Sequence, residues 1–175
     1  MSILTEIHRD KGIDTNGKTI SRTAVRAVIL RGRDLLMVYS ANVGDYKFPG
    51  GGVDDGESHE QALARELHEE CGATLLSVDS ELGAIIEYKF AEDEGFDVFR
   101  MTSHYYFCKI KDGLAEQKLD DYEADLGFKP MWVDIDEAIR KNKSLLNAEE
   151  LPDWLRREIF TLEYIKANVI ARSSS

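Results

Sequence analysis

The chain has 175 residues, 43% hydrophobic and 31% charged, which is an ordinary globular composition with length enough for one sizeable core. Its 33 acidic residues against 22 basic ones give a formal net charge of −11, which argues against a broad surface for nucleic acid or anionic membrane. No apolar run reaches the roughly 18 residues of a membrane span, and "MSILTEIHRDKG" lacks the basic start and apolar stretch of a signal peptide.

Residues 1–18 are polar and weakly patterned and read as an extended N-terminal segment outside the main domain. Thr23 to Leu30 and Leu35 to Ser40 are apolar and β-branched, and the "RGRD" between them predicts a hairpin. "ANVGDYKFPGGGVDDGE" is punctuated by Gly and Pro and reads mostly as loop. A helix follows. Ser58 with Gln61 three residues later forms a capping-box pattern, Leu63, Leu67 and Cys71 supply an apolar stripe, and Gly72 marks the stop. Leu75 to Phe90 reads as one long strand or two short ones, "AEDEG" as a solvated acidic turn, and Val98 to Ile110 as the returning strand. "KDGLAEQKLDDYEADLGFK" is an acidic connection without a clear period. "PMWVDI" reads as a short strand and "DEAIRKN" as the start of a short helix. "LPDWLRREIFTLEYIKANVIA" reads as a longer helix with Pro152 in its first turn and a stripe of Leu151, Leu155, Ile159, Leu162, Ile165 and Val169. "RSSS" reads as a disordered tail, 172–175. The pattern is one α/β or α+β domain over residues 19–171.

The chemistry concentrates in "RELHEECG", Arg65 to Gly72. Glu66, Glu69 and Glu70 fall at i, i+3 and i+4, so a helix places three carboxylates on one face, where like charges repel. Hard divalent cations prefer oxygen ligands and offset that repulsion. Arg65 and Glu69 are i, i+4 neighbours and can pair. Charge runs are commonly solvated faces, but here a Gly-rich loop and Glu57 precede the trio at fixed spacing.

From Gly51, five residues lead to Glu57, seven more to Arg65, and then come Glu66, Leu67, Glu69, Glu70, Gly72 and Ala73. This matches the Nudix box, GX5EX7REUXEEXGU, with U a bulky aliphatic residue and Ala73 the one soft departure. The chain resembles the Nudix hydrolase family from about residue 20 to its end. The resemblance implies an α/β/α sandwich with a mixed β-sheet between helices. It also implies a Mg2+- or Mn2+-dependent hydrolysis of a nucleoside diphosphate linked to another moiety. It implies metal ligation by Glu69 and Glu70, with Glu66 as ligand or base and the carbonyl near Gly51 joining the shell. Arg65 and Glu57 would orient those carboxylates. A base outside the box is also known in the family. Glu123 is the best positional match, with Glu116, Asp120 and Asp121 as rivals.

The remaining residues have plainer readings. Cys71 and Cys108 lack CxxC spacing and read as core thiols, consistent with a reducing cytoplasm. His59 and His68 read as exposed helix residues, and the C-terminal stripe with Trp154 as packing. Trp132 and Tyr88 are open between core and base stacking. The expected partner is a small nucleotide, with monomer and homodimer both open. Nucleoside triphosphates, ADP-ribose-like compounds and dinucleoside polyphosphates all stay open as substrates. A catalytically idle module that senses a nucleotide or binds a partner is the alternative. Such members usually lose box glutamates, and this chain keeps them all.

Overall fold

The computed structural model describes residues 2–148 and 151–171. Eight strands run in chain order: β1 (Ile3–His8), β2 (Thr19–Val28), β3 (Leu30–Arg31), β4 (Asp34–Ser40), β5 (Asp45–Lys47), β6 (Leu75–Phe90), β7 (Val98–Ile110) and β8 (Phe128–Asp134). Helix α1 (His59–Cys71) follows β5, α2 (Asp121–Leu126) precedes β8, and α3 (Ile135–Ser144) and α4 (Leu155–Ile165) come after it. The architecture is mixed α+β, as the sequence pattern predicts.

The strands form two sheets. One is mixed, in the order β1-β6-β7-β2, with an antiparallel β6–β7 pair flanked by parallel β1 and β2. The other is antiparallel, with β4 between β8 and the β3 and β5 segments. The predicted hairpin exists, but β3 makes it; β2 lies in the other sheet beside β7. A core lies on each face of the strands. Leu35 and Met37 face the side of α3 and α4, with Ile135, Leu162 and Ile165. Leu36 and Val38 face the side of α1, with Leu63, Leu67 and Cys71. Successive side chains of a strand point to opposite faces, so a continuous apolar run is what a strand covered on both sides requires.

Several elements differ from the sequence expectations. The N-terminal segment holds a strand, β1, whose partner β6 lies about eighty positions away, a pairing that local pattern does not encode. Residues 75–90 form one strand with register shifts between Leu75 and Gly83. The acidic connection carries α2, capped by an Asp120–Glu123 box and stopped by left-handed Gly127. Pro152 is not in a helical turn. Its carbonyl accepts from Leu155 N–H at 3.0 Å just before α4 begins, so Leu151 lies ahead of the helix. The helix ends in a wider turn over Lys166–Ile170. The tail 172–175 lies outside the described residues. Among the described residues no helix is long and apolar enough to cross a membrane.

Two features place the glycine loop. It runs along the edge of β2, where Val25 N–H donates to Gly51 O at 2.9 Å, Ala27 N–H to Pro49 O at 2.8 Å and Val53 N–H to Thr23 O at 3.0 Å. From the far side, buried Glu158 on α4 accepts from Phe48 N–H at 2.9 Å. Arg157 pairs with both Glu158 and Glu87, and Arg9 also reaches Glu87. Buried charges persist only when paired in this way, and removing one partner strands the other. The network therefore ties α4, β6 and the segment after β1 to the loop.

Candidate active site

Helix α1 begins at a complete capping box: Gln61 N–H donates to Ser58 Oγ at 3.2 Å, and Ser58 N–H donates to Gln61 Oε1 at 2.8 Å. It ends at Gly72, which is left-handed at φ 62°. The apolar stripe turns Leu63 and Leu67 into the core, each contributing about 2 kcal/mol by burial. That orientation fixes where the carboxylates go. Glu66 and Glu70, one turn apart, are buried against the loop, whereas Glu69 is half-exposed on the flank of the helix. The three do not share one environment.

Arg65 is the hub. Its Nε and Nη2 donate to the two carboxylate oxygens of Glu57 at 2.9 and 2.8 Å, a bidentate pair. Nη2 also donates to Gly52 O at 2.9 Å, and Nη1 reaches Glu66 at 2.6 Å and Glu69 at 3.5 Å. The guanidinium holds the Glu57 carboxyl down at about 2, helped by the bond from Asp54 N–H. Burial raises the Glu66 carboxyl above its ordinary range, against the pull of Arg65. Burial also pushes Glu70 up to about 8, opposed by Lys47 and by Gly50 N–H, which donates to it at 2.7 Å.

Two glycines are required by close approach. Gly50 has φ 133°, and a Cβ there would lie 3.0 Å from the Arg26 Cα. A Cβ on Gly51 would come within 2.6 Å of the Glu66 carboxyl carbon. The Gly51 carbonyl, expected at a metal, is engaged by Val25 N–H, while the Gly50 carbonyl accepts from Arg26 Nη1.

Glu123, brought in on α2, joins the site. Ligand oxygens of Glu66, Glu70 and Glu123 all lie within 4.8 Å of one another, and they are the one such acidic group among the described residues. Glu69 is not in this group. Burial raises the Glu123 carboxyl, and its Oε2 accepts from Asp120 N–H at 3.0 Å. Of the rivals, Asp120 lines the cleft and caps α2, whereas Glu116 and Asp121 are exposed and do not line it. Three all-oxygen carboxylate donors at this spacing suit a hard divalent cation.

The carboxylates floor a cleft of about 270 Å³ that opens into a second of about 460 Å³. Arg22, Arg26, Lys47, Met101 and Tyr122 line both. The sequence reading missed these cations, which come from β2 and β5 and carry no motif of their own. Trp154, assigned to packing, also lines the larger cleft, with Nε1–H donating to Asp45 at 2.6 Å. Tyr88 and Trp132 line neither; Tyr88 contacts His8, and the Arg31 guanidinium covers Trp132 at 4.2 Å. His68 is exposed as expected, but His59 bonds the Tyr106 hydroxyl at 2.7 Å and stacks near His104. Cys71 and Cys108 are buried free thiols.

A family model, the NUDIX domain, matches residues 20–155 and so includes the whole of this constellation. The chain belongs to the NUDIX domain family. An RNA pyrophosphohydrolase of Sulfurovum sp. is 31% identical over 99 residues, 55% of this chain and 62% of that protein. One from Nitratiruptor sp. is 33% identical over 78 residues, 43% of this chain and 48% of the relative. The NUDIX chain thus spans about half to six-tenths of the length of these curated relatives. The fold is also that of the E. coli ORF135 protein, at TM-score 0.57 and 24% identity over 94% of this chain and all of the other.

Proposed function

We propose that this NUDIX protein is a divalent-metal-dependent pyrophosphohydrolase that cleaves a nucleoside diphosphate linked to another moiety. The observation that carries the reading is the hub at Arg65, which gathers Glu57, Glu66, Glu69 and the loop carbonyl beside the Glu66–Glu70–Glu123 group. The names of the partial relatives, RNA pyrophosphohydrolases, support the same reaction class. The intact set of box glutamates weighs against the idle alternative.

In this reading Glu66 and Glu70 hold Mg2+ or Mn2+, with Glu69 turning in from the Arg65 side and a carbonyl of Gly50 or Gly51 at the shell. When bound, the ion lowers the pKa of a ligated water and neutralises charge on the phosphoryl oxygens. Arg65 and Glu57 keep the ligand carboxylates oriented. Glu123 takes a proton from the attacking water, for which its raised carboxyl pKa suits it. The new P–O bond forms as the anhydride P–O bond breaks, and the departing phosphate carries its electron pair toward the cationic wall of the cleft.

A panel of nucleotides incubated with Mg2+ and with Mn2+, products resolved by chromatography, tests this reading. The expected result is phosphoanhydride cleavage that excess chelator abolishes and added metal restores. Full turnover by metal-stripped protein in chelator, or no turnover of any member of the panel, would overturn it.

A further inference from the structure

The cations of the double cleft fall into two groups. Arg9, Arg157 and Lys89 are consumed by partners: Arg9 by Glu87 and Asp153, Arg157 by Glu87 and Glu158, Lys89 by Glu92. Arg22, Arg26 and Lys47 make no ion pair among the described residues, and all three line both parts of the cleft. Two of them are buried, Arg26 at 9% exposure and Lys47 at 8%. Arg26 leaves its buried Nε without a hydrogen-bond partner. The Lys47 ammonium lies between the rings of Phe128 and Trp154, at 4.3 and 4.5 Å from their centroids. Arg22 completes the group from the surface; a Cβ on Gly52 would meet its Nη2 at 2.6 Å, so the guanidinium lies close over the loop.

A buried cation without a counter-charge is costly, and chains seldom keep two side by side unless something anionic completes them. The Glu66–Glu70–Glu123 group is the nearest source of negative charge in the cleft, and on the reading above a metal ion claims it. The anion that answers Arg22, Arg26 and Lys47 must then come with the substrate. We infer that Arg22, Arg26 and Lys47 form a phosphate subsite beside the carboxylate group, and that the substrate carries a third linked phosphate there, as a nucleoside or 5′-terminal triphosphate does. A diphosphate joined to a neutral sugar leaves that subsite unfilled. Guanidinium forks recognise phosphate oxygens in pairs, and the ammonium, held between two rings, is positioned without a carboxylate to compete for it.

This inference names the substrate class within the proposed hydrolase function and rests on it, but its first test does not. The metal-free full-length protein in excess chelator is titrated with inorganic tripolyphosphate and with inorganic orthophosphate by calorimetry. Saturable tripolyphosphate binding, weaker by about tenfold or more in Arg22→Gln and Lys47→Met and unchanged in Lys109→Gln, supports the subsite. Arg22 is exposed, so its variant remains informative where the buried Lys47 variant fails to fold. No saturable binding to the wild type, or equal binding by wild type and Arg22→Gln, overturns it. In the second test, with Mg2+ present, Arg22→Gln should raise KM for a nucleoside triphosphate about tenfold, hold kcat within about threefold and leave KM for ADP-ribose unchanged. Equal rises in KM for both substrates overturn the assignment to a third phosphate. Tripolyphosphate binding with no turnover of any nucleotide would uphold the subsite and end the hydrolase reading.

Discussion

Replacing Gly51 by alanine isolates one physical contact. Gly51 does not have a positive φ, so its backbone accepts a side chain. The obstacle is Glu66 alone: the new Cβ would sit 2.6 Å from its carboxyl carbon and 2.7 Å from Oε2, where ordinary contact begins at 3.4 Å. Glu66 cannot swing clear cheaply, because Arg65 holds it at 2.6 Å and its side chain is only 10% exposed. Overpacking of this kind costs about 1–3 kcal/mol. In a Glu66→Ala background the colliding group is absent, and Gly51→Ala should then cost under about 0.5 kcal/mol, a coupling of roughly 1–2 kcal/mol. Urea unfolding of the four metal-free proteins reads the cycle. Gly51→Ala alone should also lose on the order of 10²-fold in kcat/KM, about 3 kcal/mol, because Glu66 is displaced from its place at the ion. An equal stability cost in both backgrounds would refute the steric argument and leave the glycine explained by something other than Glu66.

Further outcomes follow from the same geometry. Arg65→Lys keeps the charge and loses the fork to Glu57, so kcat/KM should fall about 10- to 100-fold, and a near-normal rate would show that the bidentate pair does not organise the site. Glu123→Gln should depress kcat with metal affinity nearly unchanged, whereas Glu70→Gln should weaken both. A metal titration with turnover measured at each point separates them, and Glu94→Gln in the exposed turn between β6 and β7 should do neither. Burial raises the Glu70 carboxyl from 4.5 to about 8. The associated stability is full below about 4.5 and lost as pH rises through about 8, so the metal-free Tm should fall across that window more steeply than in Glu70→Gln. Saturating Mg2+ should cancel the difference, and parallel Tm profiles for the two metal-free proteins would rule the linkage out.

The sequence by itself determined the elements that depend on near neighbours. The Ser58–Gln61 box, the Leu63–Leu67–Cys71 stripe and the Gly72 stop specify α1, because caps and helical stripes are built within a few turns of chain. The contiguous apolar run of β4 announced a strand covered on both faces, and the spacing from Gly51 through Glu57 to Arg65 announced the hub, since those residues meet across one short loop. Tertiary structure decided what depends on distant chain. Strand β1 pairs with β6, α2 carries Glu123 to the box helix, and β2 and β5 bring Arg22, Arg26 and Lys47 to one cleft with Trp154. Helical spacing grouped Glu66, Glu69 and Glu70 as equals. Packing separated them, because the side that buries Leu63 and Leu67 also buries Glu66 and Glu70, while Glu69, 100° further round than Glu70, is left with solvent and Arg65.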